Sequence, residues 1–320
     1  MKHQESSLLR LVKACSLVFV FFIFAYLPKI IVYAQPIKVI YLPDPSTVPL
    51  ARLKQLDVLD PKTLAKGSNE MSKHKVIIAG ISRDNAPDSA VMIKHIETIG
   101  SMFSDYRVII FENDSSDGTQ GVLHNWELNN NKIRILSKRY WNRKRANLQF
   151  LATARNHYID TIRSNPEYKD FDILMVADMD TKYGLDIRGI EDSFAQINKW
   201  DAVCSNGIFT GEGHMFDMFA FRKDDTSWKP RVEDADQYLY GIIAVPGVRE
   251  IYPAGSDLVP VHSCFGGLAF YKINAIEGCS YEGGDCEHVP FHNCIRTKNN
   301  GKMFLNPSQM LKYSHFREKQ

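Results

Sequence analysis

From Lys75 onward, short apolar runs alternate with segments of helical periodicity. Runs of four to six mostly apolar residues are expected for strands that are buried on both faces of a sheet. The predicted strands are Val76–Ile81, Arg107–Phe111, Ile133–Leu136 and Asp172–Ala177. The predicted helices are about Ser89–Phe103, Thr119–Leu128 and Leu148–Arg163. This alternation predicts an α/β fold with a mainly parallel, Rossmann-like sheet.

The pattern changes after Asp180. One further strand is predicted at Asp201–Cys204, and the remainder is rich in loops, glycines and aromatic residues. We therefore expect one domain over residues 73–320, with a regular half and a loop-rich half. In an open α/β sheet, ligands bind at the carboxyl ends of the strands. The polar residues directly after each strand are the first candidates for function.

The N-terminal region differs from this domain. Three basic residues precede Ala14–Ala34, an almost wholly apolar segment of 21 residues, and a bilayer needs about 20. Because basic residues before a span stay on the cytosolic side, the sequence predicts a cytosolic tail over 1–13 and a transmembrane signal anchor over 14–34. A signal peptide cleaved after Ala34, which would release the protein, is the alternative. Residues 35–72 carry five prolines and no long periodic segment, which predicts a stem.

Charge and cysteine content narrow the possible partners. The formal net charge is only +2, and 44% of the residues are hydrophobic. A chain of this composition can bury a full core, and we expect no nucleic-acid partner. Five of the six cysteines lie in the predicted domain. If that domain is exported, disulfides are permitted, and an odd number leaves at least one cysteine free or paired to another chain.

Two polar motifs follow predicted strands. Asp178–Met179–Asp180 comes directly after the fourth strand. Two carboxylates at that point suit a hard divalent cation, Mn²⁺ or Mg²⁺, which would neutralise a diphosphate. Glu112–Thr119 follows the second strand, and its side chains could accept hydrogen bonds from a ribose or a base. An ordinary turn and helix cap is the alternative interpretation of this second stretch.

The ordered set of motifs resembles the glycosyltransferase-A superfamily. Glu112–Thr119 is similar to the strand end of family-2-type enzymes, with Asp114 in place of their glycine, and Asp178–Met179–Asp180 looks like their metal-binding DxD motif. The remaining matches are Ala154–Arg155–Asn156, Phe265–Leu268, Cys286–Glu287–His288 and Asn306–His315. The chain also resembles fungal capsule-associated mannosyltransferases and yeast Golgi mannan-polymerase subunits. These resemblances imply a GT-A fold with a loop-rich acceptor-side half.

The resemblance also implies an activity: a hexose, with mannose implied by the fungal proteins, moves from a GDP- or UDP-linked donor to a glycan or glycoconjugate acceptor. The implied metal ligands are Asp178, Asp180 and His315, and in an inverting enzyme the catalytic base is Glu287 or Asp285. The implied donor contacts are Arg83, Asp84, Glu112, Asn113, Asp117, Arg155, Asn156 and Asp178. Asp217 and His262 are candidate acceptor contacts, and the basic run 138–145 is a candidate arm over the diphosphate.

Several alternatives stay open. His288 stands where the family pattern has an aspartate, so the chain could be a non-catalytic subunit that binds partner glycosyltransferases. A nucleotidyltransferase is a second alternative, although Ser82–Asn85 is not a glycine-rich phosphate loop. His288 and His292 are spaced as in some zinc sites, but the glutamate of zinc proteases does not follow the first histidine. For location, the resemblance implies the Golgi, with a bacterial inner membrane as the alternative.

Overall fold

A computed structural model of the chain describes residues 58–140, 148–181, 183–209, 215–225 and 252–313. The described strands are β1 Lys75–Ser82, β2 Asp105–Glu112, β3 Ile133–Ser137, β4 Ile173–Ala177, β5 Ala202–Phe209, β6 Val259–Pro260, β7 Leu268–Lys272 and β8 Met303–Tyr313. They form one sheet in the order β3-β2-β1-β4-β7-β5-β8-β6. Strands β1 to β4 are mutually parallel, β5 is parallel to β8, and β7 lies antiparallel between β4 and β5.

Helices cover both faces of this sheet. They are α1 Pro61–Met71, α2 Ala86–Gly100, α3 Thr119–Asn129, α4 Leu148–Ser164, α5 Ile187–Ala195 and α6 His288–Lys298. Alternate residues of β1 enter different cores: Ile77 packs with residues of α4 and α6, whereas Ile78 packs with residues of α1, α2, α3 and α5. Every residue of β4 is buried. The apolar runs are therefore strands buried on both faces, as predicted.

The structure confirms the predicted α/β architecture, and the predicted strands and helices up to β4 differ from the observed ones by a few residues at their ends. The segment predicted as a stem differs more, because its last part is the helix α1. Asp60 caps this helix by accepting a hydrogen bond from the backbone of Thr63, and Pro61 occupies its first turn. Helix α1 packs so closely on α5 that a Cβ at Gly67 would lie 1.8 Å from the backbone oxygen of Glu191. The folded domain thus begins before residue 73.

The anchor predicted over 14–34 lies outside the described residues. Within the described residues, no helix combines the length and the apolar character needed to cross a bilayer. Disulfides join Cys204 to Cys264 and Cys279 to Cys294, and Cys286 is a buried free thiol. This agrees with the expectation that at least one cysteine of the domain is left over.

Candidate active site

The motifs found in the sequence meet at one edge of the sheet. Ser82 at the end of β1 pairs with Glu112 at the end of β2, and β4 runs parallel to β1. The residues that follow these strands therefore share the carboxyl edge, where α/β sheets bind ligands. Asp178 is the first residue after β4, and its backbone N–H donates to the oxygen of Gly267 at 2.9 Å.

The two aspartates of the DxD motif differ in exposure. Met179 between them is 1% exposed and packs against β1 residues. Asp180 is exposed, and the Asp178 side chain is 23% exposed. Side chains that alternate along an extended segment point to opposite sides, so both carboxylates lie on the side opposite Met179, Asp180 exposed and Asp178 partly buried. Two carboxylates that solvent can reach offer oxygen atoms to a cation.

A tyrosine and an arginine hold Asp178. The Tyr313 hydroxyl donates to Asp178 Oδ2 at 3.0 Å, and Arg155 Nη2 lies 3.7 Å from Oδ1. Burial, followed by repulsion from Asp180, raises the pKa of Asp178 to about 8, against the opposing effects of Arg155 and Tyr313. Gly267 leaves room for this arrangement, because a Cβ there would lie 1.8 Å from the Tyr313 oxygen and its φ is +86°. The geometry depends on glycine at that position.

Arg155 connects this carboxylate to the loop-rich half. Its Nε donates to Glu287 Oε1 at 2.8 Å, and both side chains are 4% exposed. The guanidinium also lies over the rings of Phe265 and Tyr281, 5.0 and 5.8 Å from their centroids. Among the described residues, its Nη1 has no hydrogen-bond partner. This nitrogen is itself buried, so an anionic ligand could satisfy its two N–H groups only if the site rearranged.

The two candidate bases lie in different environments. Glu287 is enclosed by Arg155 and His288, and His288 Nε2 is 3.6 Å from its Oε1. Asp285 accepts from Arg222 Nη2 at 2.8 Å and is 24% exposed. Both carboxylates are thus ion-paired to buried arginines, and Asp285 is the one that solvent reaches.

The predicted donor contacts brace the loops after β1 and β2. Asp84 Oδ1 accepts from the backbone of Ser116 at 2.7 Å, and Asp117 Oδ2 accepts from the backbone of Ala86 at 3.0 Å. Glu112 is 1% exposed and accepts from the backbone of Ser115. Asn113 is also buried, whereas the side chains of Arg83 and Asp84 are 22% and 43% exposed. Asp117 is exposed as well, so solvent reaches three of the predicted donor contacts in these loops.

Other predicted residues occupy structural positions. The Asn156 side chain binds both backbone polar groups of Tyr281 at 2.9 Å, which fixes that segment beside Arg155. His262 pairs with Asp225 at 2.8 Å. Asp217 accepts from the backbone of Gly266 and Ala220, and burial raises its pKa.

The histidine pair does not form a zinc site within the described residues. His292 contacts the Ser263 and Tyr271 hydroxyls at 2.9 and 2.8 Å, and burial lowers its pKa to about 3, so its ring is neutral. His288 stacks on Phe265, with ring centroids 3.9 Å apart. The described residues contain no group of three or more His, Cys, Asp or Glu side chains that could hold a metal ion. His315 and residues 141–147 of the basic run lie outside the described residues.

Sequence reasoning missed the role of Tyr313. Among the sequence motifs, Tyr313 appears only within the stretch Asn306–His315. In the structure, its hydroxyl donates to the first carboxylate of the DxD motif. Its ring stacks on Phe216 with centroids 3.5 Å apart, so the hydroxyl is held in place. The partners are 135 positions apart, and no local pattern links them.

No protein-family model and no curated protein matches the chain. It is similar in structure to PcManGT, a mannosyltransferase from Pyrobaculum calidifontis solved with GDP-Man and Mn²⁺. The match has 12% sequence identity and a TM-score of 0.42, and it covers 82% of this chain and 66% of that chain. TarS of S. aureus matches at 9% identity, 75% and 36% coverage and a TM-score of 0.45. GalNAc-T7, solved with UDP, GalNAc and Mn²⁺, matches at 10% identity, 76% and 44% coverage and a TM-score of 0.45. The chain spans between about a third and two thirds of these solved chains. The function has to be argued from the site.

Proposed function

We propose that this protein is a metal-dependent glycosyltransferase that uses a nucleotide-sugar donor. One observation carries the proposal: Asp178, partly exposed, and Asp180, exposed, follow the carboxyl end of a buried strand, and Asp178 is held there by Tyr313 and flanked by Arg155. A strand end that presents two carboxylates beside a buried guanidinium suits a ligand that brings both a cation and an anion. A sugar nucleotide bound with its divalent metal is such a ligand.

The residues present fit a hard cation. Mg²⁺ is typically bound by one or two carboxylates together with substrate phosphates, and Mn²⁺ also prefers oxygen ligands. Asp178 and Asp180 would hold it, and His315 remains a predicted third ligand. When bound, such a cation supplies positive charge to a departing diphosphate.

The protein's own groups would then position the substrates. Tyr313 orients Asp178, and Arg155, which lies beside Asp178, would add positive charge near the donor phosphates. Arg83 and Asp84 would contact the nucleoside at the exposed rim. If the reaction inverts configuration, Asp285 is the base that an acceptor hydroxyl can reach, whereas Glu287 would first have to leave its ion pair with Arg155.

Finer assignments are part of the same proposal. A hexose, with mannose as the first candidate, would be moved from a GDP- or UDP-linked donor to a glycan or glycoconjugate. The chain would be a single-pass type II membrane protein of the Golgi, with residues 14–34 as the anchor. A signal peptide cleaved at Ala34 or a bacterial inner membrane would change the location without changing the chemistry of the site.

One observation favours a second candidate. Glu287 is enclosed in an ion pair with Arg155, and a glycosyltransferase-like subunit that only binds nucleotide needs no accessible base. Such a subunit would support partner glycosyltransferases. It would bind the nucleotide and metal but leave the donor intact.

The test is a panel of nucleotide sugars incubated with the full-length protein, with and without Mn²⁺. We expect Mn²⁺-dependent donor hydrolysis that Asp180→Ala abolishes while the fold is retained. Asp170→Ala, which removes an exposed aspartate before the amino end of β4 and so at the opposite edge of the sheet from the motif, should leave hydrolysis unchanged. Full hydrolysis by Asp180→Ala would overturn the metal assignment. Tight nucleotide binding without any hydrolysis or transfer would favour the non-catalytic subunit.

A further inference from the structure

A groove of about 450 Å³ lies beside the segment that follows the DxD motif. It runs between α2 and residues 183–188, and the end of β8 forms its third side. Its volume is within the range of about 300–1,000 Å³ that small-molecule sites have. Tyr183 is three positions after Asp180, and Lys312 precedes Tyr313 on β8. The groove therefore shares two chain segments with the proposed metal site.

A glycine builds the floor of the groove. Gly184 has a φ of +66°, and a Cβ there would lie 2.2 Å from Nε2 of His95. His95 Nδ1 accepts a hydrogen bond from the backbone of Leu185 at 3.3 Å. Only glycine adopts this backbone conformation without strain while it passes so close to a ring. The chain is thus held tightly against α2, with the groove above it.

The charges of the groove are unbalanced. Asp186 is paired with Arg188 at 3.1 Å and also caps α5, so its charge is compensated. Lys94 on α2 and Lys312 on β8 form no ion pair with any described residue. Lys94 is exposed and Lys312 is half-buried. Two ammonium groups that line one groove and have no ion-pair partner in the described part of the chain favour an anionic ligand.

An aromatic ring completes the surface. Tyr183 is 43% exposed, one of three large hydrophobic side chains in the described residues that are exposed to this degree. A tyrosine offers a flat apolar face and a polar tip. The C–H face of a pyranose ring matches such a face, and its hydroxyls match the tip. The ring of Tyr183 and the two lysines together favour a sugar that carries negative charge.

We propose that this groove binds the acceptor and that the acceptor is an anionic saccharide, with a carboxylate or phosphate group contacting Lys94 and Lys312. This proposal extends the proposed function, and the assignment of the bound saccharide as the acceptor rests on that function. The binding itself does not require transfer, so the two ideas can fail separately. Tyr183 stacks on the sugar ring, and the two lysines select the charge.

Isothermal titration of the full-length protein, without donor or metal, tests the proposal with three probes. Trigalacturonate carries carboxylates, a phosphorylated mannotriose carries phosphate, and plain mannotriose is neutral. We expect at least one anionic probe to bind about tenfold more tightly than the neutral one, with a difference that shrinks as salt is added. The anionic probe that binds more tightly shows whether the site recognises a carboxylate or a phosphate.

Matched variants locate the binding. The double variant Lys94→Ala and Lys312→Ala should weaken the anionic probe about tenfold and leave the neutral probe unchanged. The control pair Lys169→Ala and Lys302→Ala removes the same charge from exposed lysines outside the groove and should change nothing. Tyr183→Ala should weaken both kinds of probe.

Equal binding of charged and neutral probes, or no binding of any probe, would overturn the inference. So would a loss in the control pair as large as that in the groove pair. Donor hydrolysis measured in parallel separates the two ideas. Hydrolysis without selective anion binding refutes only the groove, and selective binding without hydrolysis refutes only the transferase.

Discussion

Tyr313→Phe is the sharpest probe of the proposed metal site, because it removes a single oxygen atom. The hydroxyl donates to Asp178 Oδ2 at 3.0 Å, while the ring stacks on Phe216. Phenylalanine keeps the ring and its packing, so the fold should be retained. The change removes only the contact that orients the carboxylate.

The expected magnitude follows from the environment of that contact. A hydrogen bond to a charged group contributes about 1.5–3 kcal/mol. Because the Asp178 side chain is 23% exposed, water replaces part of the lost bond, and a cost of about 1–2 kcal/mol is expected. This corresponds to roughly a five- to thirtyfold loss of metal affinity, in the range measured when partners behind metal ligands are removed.

Titration of Mn²⁺ into the protein with GDP or UDP present measures this loss. Tyr106→Phe is the matched control, because its hydroxyl accepts from Asn130 at 3.2 Å and lies at the opposite edge of the sheet. We expect the control to bind Mn²⁺ like the unaltered protein. Binding by Tyr313→Phe within twofold of the unaltered protein, with the fold intact, would refute the idea that Tyr313 orients a metal ligand.

Two other substitutions test the packing around the site by urea denaturation. Glu287→Gln should lower the free energy of unfolding by about 3 kcal/mol, because Arg155 stays buried and loses its charged partner; an unchanged stability would mean that the ion pair is not formed in solution. Gly267→Ala should displace Tyr313, lower stability and weaken Mn²⁺ binding, because its Cβ would lie 1.8 Å from the hydroxyl. Gly284→Ala, where a Cβ meets nothing within 4 Å, should be neutral, and equal effects of both alanines would contradict the steric argument.

The regular half of the fold was predictable because burial leaves a local pattern. The strand Ile173–Ala177 is buried along its whole length, and all five of its residues are apolar. The position of β7 between β4 and β5 has no such pattern, since it depends on pairing between distant segments. Helix α1 was missed because the prolines of 35–72 indicated a stem. A local signal was nevertheless present, because Asp60 followed by Pro61 is a typical helix start.

The site was predictable in the same uneven way. Asp178 and Asp180 could be found because two carboxylates directly follow an apolar strand. The pairing of Arg155 with Glu287 spans 132 positions, so the sequence indicated each residue but not their contact. The consequence is physical: a glutamate predicted as a base is enclosed with a guanidinium. Its availability as a base is decided by tertiary packing, which no motif reports.

The charges at the carboxyl edge explain why the proposed donor needs a cation. Asp178 and Glu287 flank one buried guanidinium, that of Arg155, Asp180 repels Asp178, and Asp285 is already balanced by Arg222. Among the described residues, a bare diphosphate would meet more carboxylates than cationic groups, and in a partly buried site this repulsion is weakly screened. A divalent ion would cancel this excess of negative charge, and the positive charge of Arg155 would then favour the phosphate. Nucleotide binding should therefore depend on the metal, and a donor that bound equally well in EDTA would contradict this account of the site.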